Sequence, residues 1–275
     1  MKTKNISDKN TKYWDELCGT ALAKYLGISD SSLESLKKYD DYYLDIYPYL
    51  YDYIPFSKLK GKNVLEVGLG YGTVSSCLAE SDAIYTGLDI AHGPVNMVRD
   101  RLKQHGVSGQ AVQGSILNPP FEKGTFDVII AIGCLHHAGD LQLALDKCRG
   151  LLSPGGELIF MVYNAYSYRR FIQAPVTTVK YFLKEMFSYR GVVGKSTEKQ
   201  RAGYDANTES LEGAPHTDWI SIRSLRALCR DFSSFSGNLE NIDREPPFFW
   251  STRKELLTTK WPAACGLDLY AVAKK

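Results

Sequence analysis

Glu66, Gly68, Gly70, Gly72 and Asp89 have the residue types and spacing of a nucleoside pocket. Three alternating glycines permit positive φ and leave a tight turn without Cβ atoms, so a ligand can lie against main-chain N–H groups at the mouth of the next helix. A dinucleotide loop reads G-x-G-x-x-G; here the third glycine comes one residue early and Thr73 follows, which argues against NAD. Glu66, two residues before the first glycine, sets a negative charge beside the loop and suits a cationic ligand better than a pyrophosphate. Asp89, twenty-one residues past Gly68, closes a second apolar run, where a carboxylate can accept from both ribose hydroxyls. Together these residues describe a nucleoside site without a phosphate.

A second set could move protons. Gly133, Cys134, Leu135, His136 and His137 follow the apolar run 126–132, at the strand end where open parallel sheets hold ligands. An imidazole near neutrality can take a proton from a hydroxyl or an amine there; the alternative is a histidine that only hydrogen-bonds its own loop. His216, beside Thr217, Asp218 and Trp219, is another polar cluster, and Tyr204 with Asp205 is a third. A lone histidine in a Pro-containing loop is more often structural or solvated. Arg169 and Arg170 offer forked donors to an anionic substrate, or else a solvated helix face.

The elements that must carry these residues follow an α/β rhythm. Val64, Leu65 and Val67 make the short apolar run of a strand covered on both faces. Helices are expected over 72–80, 94–105 (Pro94 in its first turn, Gly106 as the stop), 141–152 and 222–232 with Ser221 as N-cap. Strands are expected at 111–113, 126–132 and 157–163, and a final pair at 233–242 and 266–273 joined through the loop 246–250. Residues 1–12 read as frayed; from Tyr13 to Phe56 aromatic and aliphatic residues recur at helical spacing, and Cys18-Gly19-Thr20 has the small residues for close backbone packing or a plain turn. Residues 164–222 interrupt the rhythm with aromatic and basic segments and polar turns, which fits a cap better than a linker. The resulting division is a helical segment at 1–60, a nucleotide-binding core at 61–163, a substrate cap at 164–222 and a completing segment at 223–275.

The totals narrow the functions. A chain of 275 residues with 33 Lys+Arg against 31 Asp+Glu has no global field for nucleic acid. Six scattered cysteines form no C-x-x-C pair and no zinc spacing, so reduced, mostly buried thiols and no metal are expected. The polar, lysine-rich N-terminus and the lack of any span-length apolar run point to a cytoplasmic protein without a membrane partner.

In order, VLEVGLGYG, TGLDI (86–90), QGSILNPPF (113–121), FDVIIAIGCLHH (126–137) and LLSPGGELIF (151–160) resemble the motifs of the class I S-adenosylmethionine-dependent methyltransferases of the bacterial small-molecule type. The resemblance covers residues 60–163. It implies a Rossmann-like fold: a seven-stranded, mostly parallel sheet with an antiparallel last strand, a helical N-terminal preface and an inserted helical cap. It implies S-adenosylmethionine as cofactor, with Gly68, Leu69, Gly70 and Gly72 passing its methionine and ribose portions, Glu66 near the sulfonium, Asp89 on the ribose and Ile90 beside the adenine. Ser115 and Ile116 stand where many relatives carry an aspartate for the adenine amino group, and a serine accepts that bond neutrally and with shorter reach. Gly133 borders the same site, and Trp14 and Tyr43, with Tyr39 and Tyr47, are candidates for the preface's wall over it. His137, His136 and His216 are the catalytic candidates. The implied reaction is methyl transfer to oxygen or nitrogen of a polar metabolite, sugar or natural-product intermediate by a monomer or homodimer. The alternatives are transfer to sulfur or carbon, or a non-catalytic nucleoside-binding scaffold.

Overall fold

The computed structural model describes residues 2–17, 20–206 and 212–275. Helices α1 (Lys2–Leu17), α2 (Thr20–Tyr25), α3 (Leu33–Ile46) and α4 (Leu50–Tyr53) precede the sheet. The core then alternates: β1 (Asn63–Val67), α5 (Thr73–Glu80), β2 (Ile84–Asp89), α6 (His92–His105), β3 (Gly109–Gln113), β4 (Phe126–Ile132), α7 (Leu141–Leu151) and β5 (Leu152–Asn164). Three short helices follow, α8 (Tyr168–Gln173), α9 (Pro175–Met186) and α10 (Glu198–Ala202), and then β6 (Trp219–Ile220). The chain closes with α11 (Ile222–Leu228), β7 (Ser234–Glu240), α12 (Arg253–Leu257), α13 (Trp261–Cys265) and β8 (Asp268–Lys274).

The sheet order is β3-β2-β1-β4-β5-β8-β7, with β1 to β5 parallel and β8 antiparallel to both its neighbours. This is the expected seven-stranded sheet with a reversed last strand. An eighth strand was not foreseen: β6 pairs with the end of β5 through Tyr163↔Trp219 and Asn164↔Ile220, beyond the point where β4 stops. Two residues are too few to leave a periodic signal. Consecutive strand residues fall into different cores, Val64, Ile130 and Ile159 on one face and Leu65, Ile129 and Phe160 on the other, as a sheet covered on both sides requires.

Several boundaries differ from expectation; β5 already starts at Leu152, so the expected turn 153–156 lies within the strand, and β3 and α6 each start two residues early. Residues 2–12 are not frayed: α1 runs through them, and Ile6, Asn10, Tyr13 and Trp14 recur at helical spacing, with Asn10 and Tyr13 buried. The last two strands are joined by α12 and α13 rather than by a simple loop. Helix α11 stops at Leu228, four residues early. Cys18-Gly19 lies outside the described residues.

The preface is fixed to the core by an ion pair between a buried cation and a partly buried acid. Arg101 of α6, almost fully buried, makes a bidentate contact with Asp40 of α3 at 2.7 and 3.0 Å, and the Thr73 hydroxyl donates to the same carboxylate at 2.6 Å. That anchor sets Tyr39 and Tyr43 of α3, and Tyr47 at its C-cap, over the glycine loop. Nearer the N-terminus, the Gly93 N–H at the start of α6 donates to Asp15 of α1 at 2.5 Å.

Candidate functional site

At the carboxyl ends of β1, β2 and β4 lies a cleft of two adjoining chambers that share Trp14, Gly68, Gly70 and Ile132. The first encloses about 770 Å³, mouth included, and is bordered by Asp89, Ile90, Ser115, Ile116, Gly133, Cys134 and His137. The second, about 1250 Å³ with its mouth, lies under α3 and is bordered by Tyr39, Tyr43, Tyr47, Glu66, Leu69 and Asp205.

The loop glycines differ in what they make room for. A Cβ on Gly68 (φ 79°) would stand 2.4 Å from the Cys134 Cβ, and one on Gly72 (φ 87°) 2.7 Å from the Arg101 side chain. Gly70 (φ 54°) has nothing within 4 Å of that position, so its bare backbone faces open space in both chambers. Gly72 borders neither chamber; its missing side chain admits the guanidinium that holds Asp40.

Asp89 is buried, and its oxygens accept from Leu69 N–H at 2.7 Å and Ala91 N–H at 2.8 Å, so it ties the glycine loop to the end of β2. Burial pushes its carboxyl up to about 6 against those stabilising bonds. Glu66 is also buried; its Oε2 accepts from Ser75 and Tyr85 hydroxyls at 2.6 and 2.7 Å, while Oε1 meets no donor among the described residues. Burial pushes Glu66 up to about 7, partly offset by those two hydroxyls. The Ser115 hydroxyl accepts from Leu117 N–H at 3.2 Å.

Of the three histidines, His137 alone borders the cleft. Its Nδ1 lies 2.7 Å from the carbonyl oxygen of His216, which can only accept, so Nδ1 carries the proton and a neutral ring leaves Nε2 bare. Nε2 faces Asp205 Oδ2 at 3.5 Å, and neither atom has a hydrogen-bond partner among the described residues. The other Asp205 oxygen accepts from Tyr163 OH at 2.9 Å. Burial drives this pair toward neutrality, lowering the histidine and raising the acid. Trp14 lies against the His137 ring at 4.8 Å, and the Asn10 amide donates to the His137 carbonyl at 2.7 Å. His136 is fully buried between His137 and Tyr163. His216 turns its ring to Asp218 at 3.1 Å and contributes only its carbonyl to His137.

Residues 65–160 match the family model described as "Methyltransferase domain". Two curated relatives overlap it. The chain is 34% identical over 108 residues, 38% of its length and 45% of the relative's, to a ubiquinone biosynthesis O-methyltransferase of Coxiella burnetii. It is 29% identical over 168 residues, 60% of its length and 63% of the relative's, to a demethylmenaquinone methyltransferase of Tropheryma whipplei. The chain carries, over residues 65–160, a methyltransferase domain of the class I S-adenosylmethionine-dependent type. It spans about half to less than two thirds of the length of these relatives. The fold is shared more widely. The [4+2]-cyclase SpnF superposes with a TM-score of 0.58 at 14% identity, covering 96% of this chain and 94% of its own. A Thermotoga maritima protein described as a possible histamine N-methyltransferase superposes at 0.51 with 16% identity, covering 86% and 93%.

In this methyltransferase fold, Gly68, Leu69, Gly70, Asp89, Ile90, Ser115, Ile116, Gly133, Glu66, Trp14, Tyr43 and His137 all border the cleft, while Gly72, His136 and His216 do not. Arg169 and Arg170 are engaged elsewhere. Arg169 pairs with Glu245 at 2.6 Å and lies over Tyr204, and Arg170 is buried over Trp219, so neither is free for an anionic substrate. Two residues that sequence reasoning missed are Asn10, whose buried Oδ1 has no partner among the described residues, and Arg101. Helical spacing with Trp14 could have flagged the first; no local pattern marks the second.

Proposed function

We propose that the chain transfers a methyl group from S-adenosylmethionine to a hydroxyl of a small molecule, with His137 as the general base and Asp205 as its partner. The observation that carries this reading is the pair of facing acceptors, a bare Nε2 of fixed tautomer opposite a carboxylate oxygen at 3.5 Å. Two lone pairs so placed have room for a proton that the protein itself does not supply. The first chamber would hold the nucleoside, with Asp89 accepting from the ribose, Ile90 and Ile116 against the adenine, and Ser115 accepting from its amino group. Glu66 would balance the sulfonium charge. The preface, through Trp14, Tyr39, Tyr43 and Tyr47, would cover the cofactor, and residues 164–222 would wall the acceptor. When bound, S-adenosylmethionine supplies an activated methyl group, so these residues need only bind, orient and deprotonate. The acceptor's O–H bond breaks toward His137 Nε2 as its oxygen gains the methyl, and Asp205 stabilises the imidazolium. His136 would pack behind that ring, and His216 would fix its tautomer.

One relative is named as an O-methyltransferase and the other as a demethylmenaquinone methyltransferase; carbon as acceptor is therefore the second reading, and there the pair would be dispensable. One structural neighbour is a cyclase, so methyl transfer must be measured directly. Incubation with methyl-labelled S-adenosylmethionine and a panel of phenols, catechols, sugars and amines should label at least one hydroxyl compound. Binding of S-adenosylhomocysteine without transfer to any of them would reject the reading.

A further inference from the structure

Helix α9 is built inside out. Its buried positions are Thr178, Tyr181 and Glu185, while Val176, Val179, Phe182, Leu183, Met186 and, just past its end, Phe187 face solvent. A surface helix ordinarily shows the reverse. Phe187 is 84% exposed, Val176 64%, Met186 61% and Phe182 51%, well beyond the scattered apolar exposure of a soluble surface. The polar side is firmly engaged. Glu185 accepts from Tyr166 OH at 2.7 Å, from Ser221 OH at 2.5 Å and from the Ser224 hydroxyl, and Tyr181 OH donates to Gly191 O at 2.7 Å. These bonds to other elements fix the rotation of the helix and hold its apolar stripe outward.

Charge selects what covers the stripe. Residues 171–196 contain four basic side chains (Lys180, Lys184, Arg190 and Lys195) and one acid, and that acid is the buried Glu185. Lys180 and Lys184, one turn apart, are both exposed along one flank of the stripe. An apolar band edged by ammonium groups, with no exposed carboxylate, matches the boundary between anionic headgroups and acyl chains. A two-fold contact with a second copy would instead bring the same lysines together. We infer that α9 docks the protein on the surface of an anionic lipid bilayer, with the apolar stripe in the interface and Lys180 and Lys184 on lipid phosphates. With twelve residues α9 lies in the plane of the bilayer, and no described helix is long and apolar enough to cross one. This inference does not depend on the transfer chemistry.

The test is co-sedimentation of the full chain with phosphatidylglycerol–phosphatidylcholine vesicles, with pure phosphatidylcholine vesicles as control. Binding to the anionic vesicles should exceed binding to the control and fall with added salt. Phe182→Ser with Phe187→Ser should weaken it about tenfold or more, and Lys180→Glu with Lys184→Glu about tenfold on the anionic vesicles alone. All four positions are exposed, so melting temperature and S-adenosylhomocysteine binding should stay unchanged. A folded protein that ignores anionic vesicles, or binding that survives both double substitutions, overturns the inference. A concentration-dependent dimer in sedimentation velocity that the two serine substitutions abolish would assign the face to a second copy and overturn it as well.

Discussion

Asp89 and Asp205 are both carboxylates at the cleft, the first buried and the second partly exposed, and they are held in opposite ways. Each oxygen of Asp89 meets a backbone N–H, so the residue acts as a fastener for the glycine loop. Asp205 has one oxygen on a tyrosine hydroxyl and the other facing a nitrogen to which it makes no hydrogen bond. A carboxylate whose lone pairs meet fixed donors orders the chain around it, whereas one opposed to a second acceptor is poised for a proton that arrives with a ligand. The difference teaches that burial alone does not single out a candidate reacting group; the proposed role rests on an unanswered lone pair beside a cavity.

The largest effect should therefore come from the unanswered pair. Asp205→Asn puts an amide donor opposite Nε2 and occupies the lone pair proposed to accept the proton. Turnover of an oxygen acceptor is expected to fall by about 10²–10⁴, with S-adenosylhomocysteine affinity by calorimetry within about twofold of the parent. His137→Gln should do the same, and the acid limb of the rate profile, which belongs to the pair, should be lost in both. A fall in affinity that matches the fall in turnover would erase the distinction between the two acids.

Next comes the anchor that places the hood over the fastened loop. Asp40→Ala leaves the buried Arg101 guanidinium without its partner, and breaking such a pair costs about 3–5 kcal/mol. Chemical denaturation should show that loss, and α3 should lift its tyrosines from the cleft and weaken cofactor binding. Arg101→Met with Asp40→Leu, which removes both charges, should recover most of the stability. For the fastener itself, Asp89→Ala should weaken S-adenosylhomocysteine by about 1–3 kcal/mol, the range for a lost charged hydrogen bond. Turnover at saturating cofactor should change far less than in Asp205→Asn.

The same contrast explains what could be read from the chain. Val64 to Thr73 announces strand, turn and helix through local chemistry, and Asp89 lies close enough in sequence to belong to the same pattern, so the sheet edge and the first chamber were legible. Tyr39, Tyr43 and Tyr47 were legible as one helical face. The hood's attachment was not, because Asp40 and Arg101 are 61 residues apart and neither type has a characteristic neighbour. His137 stood out at a strand end, but its partner comes from residues 164–222, across a connection whose fold no periodicity reports. Gly72 shows the converse error: its spacing suggested contact with a ligand, and its bare Cα serves Arg101 instead.

The smallest effect sharpens the role of Glu66, the other cleft acid with an oxygen that meets no donor among the described residues. Burial raises Glu66 to about 7 and Asp89 to about 6, above the ordinary carboxyl range, so the folded chain holds these protons more tightly than the unfolded chain does. Their contribution to stability is present below that range and is lost as pH rises through these values. Cofactor binding should have the opposite sign, since only the ionised carboxylate balances a sulfonium. S-adenosylmethionine affinity should therefore increase as pH rises through about 7. Asp89 would contact the ribose, which S-adenosylmethionine and S-adenosylhomocysteine share, so its titration cancels in the ratio of the two affinities. Glu66 does not cancel, because only the first ligand is charged at sulfur. Calorimetry of both ligands across this range should show the ratio rising a few-fold, roughly tenfold at most, with Glu66→Gln flattening it. A ratio that is constant with pH in the unsubstituted protein would leave Glu66 as a brace for Ser75 and Tyr85 alone.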